Sequence, residues 1–291
     1  MAHLNDWIEG ARPRTLPASL APVIAGTAFA LPYGASWPRA FLAALVALLL
    51  QIGVNYSNDY SDGIRGTDDH RQGPPRLTGG RKASPRTVKC VAFSCFSAAC
   101  MVGLVLLALS GTWWLIAAGA LAVLAAWYYT GGSHPYGYMG LGEIFVFVFF
   151  GLMATVGTTY TQVLRAPWQA WLGACAIGLL ACAILMVNNI RDIPTDALAG
   201  KHTLAVRLGE SGARLAYCLM LVLPFAALPG FLPGHAWWTV LSFLPAAAIS
   251  ARAIWIVGVR KERGLALIGS LRDTGFSELF YALALLLTFA C

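Results

Sequence analysis

Charge is scarce in this chain. Only 11% of its 291 residues are Asp, Glu, Lys or Arg, less than half the roughly 25% of an ordinary soluble domain. Hydrophobic residues make up 58%, and the mean hydropathy is +0.67. A water-facing surface cannot be built from so few charges, so a soluble domain is excluded and a polytopic membrane protein is implied. Acids are the rarest charge, 13 against 20 basic residues, for a net charge of +7. That excess does not call for nucleic acid, because membrane proteins gather Lys and Arg in cytoplasmic loops beside anionic lipid. The seven cysteines are Cys90, Cys95, Cys100, Cys175, Cys182, Cys218 and Cys291. None forms a Cys-x-x-Cys pair, which leaves zinc and thiol-redox chemistry without their signature, and all but Cys90 read as small buried hydrophobes. The signals of a nucleic-acid binder or a serine hydrolase are also missing. The first fifteen residues are polar, with Asp6, Glu9, Arg12 and Arg14, so no cleavable signal peptide is expected.

What is present is a series of apolar runs. A bilayer core takes roughly 20 apolar residues per helix. The runs predict about nine spans, near 16–32, 38–55, 87–109, 112–130, 140–163, 167–187, 214–231, 236–259 and 276–291. The expected architecture is all-α, one transmembrane domain over residues 1–291. Basic residues alternate with the spans. Arg12 and Arg14 precede the first, Arg65 to Lys89 follow the second, Arg191 to Arg214 follow the sixth, and Arg260 to Arg272 follow the eighth. The exceptions are Arg39, Arg165 and Arg252. The positive-inside rule makes the crowded side cytoplasmic, with the amino terminus on it and the carboxy terminus across the membrane.

Two of the spans end in acid clusters. Asn55 to Asp69 holds Asp59, Asp62, Asp68 and Asp69. If the helix continues, Asn55, Asp59 and Asp62 share one face, with Asn58 beside them. Gly63 and Gly66 then let the chain turn. The second cluster, Asn188 to Asp196, has Asn188, Asp192 and Asp196 four residues apart. Pro194 is expected to end or kink that helix, which brings Asp196 in from a loop. Lys201 and Arg207 follow. The matching placement hints at two pseudo-equivalent halves.

Carboxylates and amide oxygens, without Cys or paired His, suit a hard cation: Mg²⁺, or Mn²⁺ in its place. Two like charges ~4 Å apart repel by about 4 kcal/mol at an effective dielectric of 20. A diphosphate would be repelled by such clusters unless a divalent ion bridged them, and Lys201, Arg191 and Arg65 then complete a diphosphate pocket. A charge run outside a span is ordinarily a solvated loop. Two such runs at matching span ends, each followed by cations, argue against that. A diphosphate at a greasy surface suggests a lipid diphosphate whose allylic carbon–oxygen bond ionises. Aromatic faces can steady the cation. Tyr56, Tyr60, Trp127, Tyr128, Tyr129, Tyr136, Tyr138 and Tyr160 lie at or near the relevant span ends, where interfacial packing is the competing role.

The order of motifs narrows the reading. Arg12-Pro-Arg-Thr-Leu-Pro-Ala-Ser19 opens the chain. Asn58-Asp-Tyr-Ser-Asp-Gly63, Gly66-Thr-Asp68, Gly137-Tyr-Met-Gly-Leu-Gly-Glu143, Asn188-Asn-Ile-Arg-Asp192 and Gly200-Lys-His-Thr-Leu-Ala-Val-Arg-Leu-Gly209 follow. Over nearly the whole length this resembles the UbiA-type intramembrane aromatic prenyltransferases, in their 1,4-dihydroxy-2-naphthoate polyprenyltransferase branch of menaquinone biosynthesis. The resemblance implies nine helices around a central cavity with a cytoplasmic loop cap. It implies Mg²⁺ and diphosphate on Asn55, Asn58, Asp59, Asp62, Asp192 and Asp196, with Asp59, Asp62, Asp192 and Asp196 catalytic. Lys201 and Arg191 would hold phosphate. Where many relatives carry a further Asp this chain has Gly66, so Asp68 is taken as the substitute ligand. Arg12 falls where some relatives direct an arginine toward substrate. Glu143 and Tyr160 are further candidate acceptor contacts, with helix capping or packing as their alternative. The implied substrates are a polyprenyl diphosphate and 1,4-dihydroxy-2-naphthoate, taken at a bilayer. Three alternatives stay open: another aromatic acceptor, a CDP-alcohol phosphotransferase, and an ion-coupled transporter. The second lacks its Ala-Arg pair after Asp62-Gly63, and the third expects acids in mid-membrane rather than at span ends.

Overall fold

A computed structural model describes residues 2–66 and 76–291. Among the described residues every regular element is a helix. A short α1 (Leu4–Ala11) precedes α2 (Leu16–Ala30), α3 (Trp37–Ile64), α4 (Pro85–Ser110) and α5 (Leu115–Tyr128). Then come α6 (Gly142–Val146), a π-helical stretch Phe147–Met153 and α7 (Ala154–Val163), which together make one span. The chain closes with α8 (Trp168–Leu198), α9 (Leu204–Val222), α10 (Leu244–Ile254) and α11 (Leu267–Ala290). Among the described residues, eight helical runs are long and apolar enough to cross a bilayer. The ninth expected span is α5, apolar but only 14 residues long. The nine-helix layout thus stands, with one short member.

Length places the acid clusters. At 1.5 Å per residue, α3 with 28 residues reaches about 42 Å and α8 with 31 residues about 46 Å. A bilayer core is only ~30 Å thick. Both helices have turns to spare, and those turns carry Asn55–Asp62 and Asn188–Asp196. The expected break at Pro194 does not occur: α8 runs on to Leu198. One missing N–H leaves the flanking ladder intact, and Thr195 Oγ1 donates to the Asp192 carbonyl at 2.9 Å. Asp196 therefore sits on the helix rather than a loop.

Two other boundaries move for an electrostatic reason. α9 starts at Leu204 and α11 at Leu267, well before the apolar runs that announced them. Glu210 and Arg214 of α9, and Arg272 and Asp273 of α11, lie beyond the first turn and are paired on the spot. Arg214 donates to Glu210 at 2.8 Å and to the Glu262 carbonyl at 2.7 Å, and Arg272 lies 3.3 Å from Asp273. At the opposite end Trp37, Trp113, Trp114, Trp168, Trp171, Trp237 and Trp238 are exposed, an interfacial belt. Arg39 ties that end together by donating to the carbonyls of Leu109, Thr161 and Gln162. All seven cysteines are free.

The core joins α2, α8, α9 and α11 through Ala21, Ala25, Phe29, Ile177, Tyr217 and Tyr281. Small residues let helix backbones approach where no water drives them together. One such approach is Gly151 against α8: a Cβ there would stand 2.6 Å from Gly178 Cα and 2.9 Å from the Ala174 oxygen. Both are backbone atoms that cannot swing aside. Gly151→Ala is expected to destabilise by about 1–3 kcal/mol, read as a lower unfolding midpoint of the purified protein in detergent.

Candidate active site

The long ends of α3 and α8 meet at one cavity of about 460 Å³. On α3 the cavity side carries Gln51, Asn55, Asn58 and Asp62, a helical face of period three to four. Asn58 accepts the Thr130 hydroxyl at 2.8 Å. Asp62 Oδ1 accepts the Tyr138 hydroxyl at 2.7 Å and lies 3.3 Å from Lys201 Nζ. Asn55 donates its amide to the Ala11 carbonyl at 2.9 Å, which holds the turn bearing Arg12 against the cavity.

Asp59 does something else. It is 1% exposed and absent from the cavity wall. Its two oxygens accept the backbone N–H groups of Leu77 at 2.9 Å and Thr78 at 2.8 Å. The turn so held presses onto Gly63, where a Cβ would meet Thr78 Cβ at 2.5 Å. Asp59, expected as a ligand, acts as an anchor: each of its oxygens holds one amide of the loop that returns the chain to α4. Asp68 lies outside the described residues.

On α8 the cavity side carries Asn188, Asn189, Asp192 and Asp196, and Lys201 closes the ring from the α8–α9 link. Lys201 is positioned by backbone bonds, its N–H to the Asp196 carbonyl at 2.8 Å and the next N–H, of His202, to the Tyr138 carbonyl at 2.9 Å. Its ammonium also lies 4.5 Å from the Tyr138 ring centre. Burial by itself would lower the Lys201 pKa. The Asp62 carboxylate, with Tyr138 and Asp196 behind it, outweighs burial and raises it, so the charge is present throughout the neutral range. Arg191 does not line this cavity. It clamps Asp192 through two bonds, 2.7 Å and 2.6 Å, and also reaches Asn188 at 2.9 Å. Arg65 is likewise off the wall, donating to the carbonyls of Thr130 and Gly132. Both predicted phosphate holders are thus engaged elsewhere, Arg65 as a staple of the cap and Arg191 as the partner of Asp192.

Below the polar mouth the wall is apolar and aromatic. Tyr129, Tyr136, Phe145 and Phe149 all line it, with Tyr136 and Phe145 stacked at 3.9 Å. Burial pushes the Tyr129 and Tyr136 phenols up, so both present neutral rings. Of the candidate acceptor contacts, Arg12 lines the cavity. Glu143 does not; it is buried behind the wall, holding the Asn189 amide at 3.1 Å. Tyr160 packs edge-on against Trp114 at the far, Trp-rich end, the interfacial alternative. Sequence reasoning missed Thr130 and Arg76, which also face the cavity; neither sits in a spaced pattern.

The donor set can be tested for a metal. Asp62, Asp192 and Asp196, with the Asn58 and Asn188 amides, offer only oxygen. Among the described residues no three His, Cys, Asp or Glu side chains converge on one point. An ion here would take one or two carboxylates and complete its shell with water and phosphate oxygens, which is how Mg²⁺ is ordinarily held. The residues fit that ion.

The Asp59 anchor predicts a separable phenotype. Asp59→Ala strands two buried amides and should cost about 3 kcal/mol or more at roughly 1.5–3 kcal/mol per charge-assisted bond. The readouts are a lowered melting midpoint and faster tryptic cleavage at Arg81 and Lys82.

Comparison with known proteins agrees with this architecture. The model of the UbiA prenyltransferase family matches residues 19–266. The 1,4-dihydroxy-2-naphthoate octaprenyltransferase of Mycobacterium tuberculosis is 52% identical over 286 residues, covering 98% of this chain and 96% of that protein. The Escherichia coli protein of the same name is 38% identical over 266 residues, covering 88% and 86%. Among solved structures, a UbiA homologue from Aeropyrum pernix superposes with a TM-score of 0.71 at 17% identity, over 94% of this chain and 96% of that one. A UbiA homologue from Archaeoglobus fulgidus, bound to DMAPP and Mg²⁺, superposes with a TM-score of 0.66 at 17% identity, over 97% and 99%. With its apolar spans and this match along most of its length, the chain is an integral membrane protein and belongs to the UbiA prenyltransferase family.

Proposed function

We propose that this protein transfers a polyprenyl group from an allylic polyprenyl diphosphate to 1,4-dihydroxy-2-naphthoate, releasing diphosphate and CO₂. The product is demethylmenaquinol, oxidised afterwards to demethylmenaquinone. The observation that carries the reading is the single cavity in which Asp62, Asp192, Asp196 and Lys201 surround the mouth of an apolar, aromatic chamber. The activity shared by the naphthoate-specific relatives chooses the acceptor.

Lys201 offers a fixed positive charge and Tyr138 its ring and hydroxyl beside the leaving group. Arg12 and Arg76 border the same mouth. Asp62, Asp192 and Asp196, with Asn58 and Asn188, would hold Mg²⁺. When bound, the ion neutralises charge growing on the departing diphosphate. The chamber keeps water from the allylic cation, and the neutral faces of Tyr129, Tyr136 and Phe145 stabilise it. The carbon–oxygen bond breaks with its electron pair leaving on diphosphate. The new carbon–carbon bond forms at the ring carbon bearing the carboxylate. Loss of CO₂ returns its bonding pair to the ring and restores aromaticity. No proton is removed at that carbon, so a dedicated base is unnecessary. The basic loops lie at this end of the molecule, and the positive-inside rule supports a cytoplasmic mouth in the cell membrane.

Purified protein supplied with Mg²⁺, a polyprenyl diphosphate and the naphthoate should yield the prenylated, decarboxylated product by mass spectrometry. EDTA should abolish turnover and Mg²⁺ restore it. Asp62→Asn and Asp192→Asn should each lower kcat/KM at least about 100-fold. Undiminished turnover in EDTA, or by Asp62→Asn, would contradict the assignment.

A further inference from the structure

The spanning helices contain glycines of two kinds. Gly26, Gly151, Gly173 and Gly178 are needed for packing, since a Cβ on each would stand within 2.4, 2.6, 2.3 and 2.8 Å of a neighbouring atom. Gly103, Gly119 and Gly157 are different. All three line the cavity, one each on α4, α5 and α7. A Cβ on Gly119 or Gly157 would meet nothing within 4 Å, and one on Gly103 only Val46 Cγ2 at 3.9 Å. None has a positive φ. Neither close packing nor backbone conformation asks for glycine there, yet each costs its helix about 0.5–1 kcal/mol relative to alanine. On α5, Leu115, Ala118, Gly119, Ala122, Ala126 and Tyr129 mark the cavity side, so a side chain on Gly119 would enter the open space.

Their depth gives the openness a meaning. Gly119 lies about 15 Å along the helix axis from Tyr129, and Val46, beside Gly103, about 24 Å from Asp62, at 1.5 Å per residue. Gly157 lies about 21 Å beyond Glu143 along the same span, at 1.5 Å per residue, toward the same far end. A geranyl tail, eight carbons along its main chain, spans about 10 Å with bonds of ~1.5 Å. It ends before the glycines, and a longer tail must pass them. We propose that Gly103, Gly119 and Gly157 are the residues that keep the lumen wide enough for a long polyprenyl tail, and so set the upper length of donor this protein accepts. The inference rests on the polyprenyl-transfer reading and adds the determinant of chain length to it.

The test compares geranyl diphosphate with octaprenyl diphosphate as donors, using the full-length protein in detergent, Mg²⁺ and the naphthoate. Gly119→Leu and Gly157→Leu should lower kcat/KM for the octaprenyl donor at least tenfold relative to the geranyl donor. Gly119→Ala and Gly157→Ala guard against misfolding. They should melt no lower than the parent and still shift the donor ratio at least twofold toward geranyl. An unchanged ratio in all four variants overturns the proposal, as does an equal loss with both donors or a lowered melting midpoint in the alanine variants. Failure of the unmutated protein to prenylate the naphthoate with either donor would instead sink the underlying reading.

Discussion

The structure depends on one shared carboxylate. Asp62 Oδ1 receives the Tyr138 hydroxyl at 2.7 Å and faces the Lys201 ammonium at 3.3 Å. Those three residues come from the end of α3, the α5–α6 link and the α8–α9 link. A carboxylate this buried cannot be left alone in a membrane protein, and neither can the lysine. Removing either partner would strand the other at a cost of about 3–5 kcal/mol. The requirement to pair them draws two halves of the chain, separated by more than a hundred residues, onto one point. A buried pair is poor evidence for net stability, because desolvation offsets much of its attraction. Its contribution is position: it fixes where charge can be received.

The surrounding cap repeats that logic with weaker bonds. Arg65 fastens the Thr130–Gly132 segment, Asn58 takes the Thr130 hydroxyl, and His202 N–H reaches the Tyr138 carbonyl. Asp59 holds the returning turn at Leu77 and Thr78. Arg65 and Asp59 each use a side chain near a helix end to satisfy backbone groups that a loop at a membrane surface exposes. The result is a rigid polar mouth over a chamber whose walls are Ala, Gly, Leu and aromatic residues. Polar preorganisation and apolar shelter stand next to one another along one axis, as ionisation of a lipid diphosphate demands.

Much of the site was legible in spacing. Asn58, Asp62, Asp192, Asp196 and Lys201 were all marked by position at span ends, and all reach one cavity. Asp59 was not separable from Asp62 by spacing, because its direction differs by less than a helical turn and only the Leu77–Thr78 turn claims it. Arg65 and Arg191 carried the right charge, but their partners, two carbonyls and the adjacent carboxylate, are visible only in three dimensions. Tyr160 is near the acids in neither sequence nor space. Pro194 illustrates the converse: a strong local breaker was overridden by the ladder on either side and by the packing of α8.

By itself the sequence determined the solvent, the helical class, the span order and the identity of the charges at the span ends. Those follow from hydropathy summed over windows and from the cost of placing charge in hydrocarbon, which are properties of short stretches. Only the tertiary structure decided which carboxylates face the cavity, which cations are already spoken for, and which glycines border empty space rather than a neighbour. Those depend on distances of a few ångströms between residues far apart in the chain, and no local pattern encodes them.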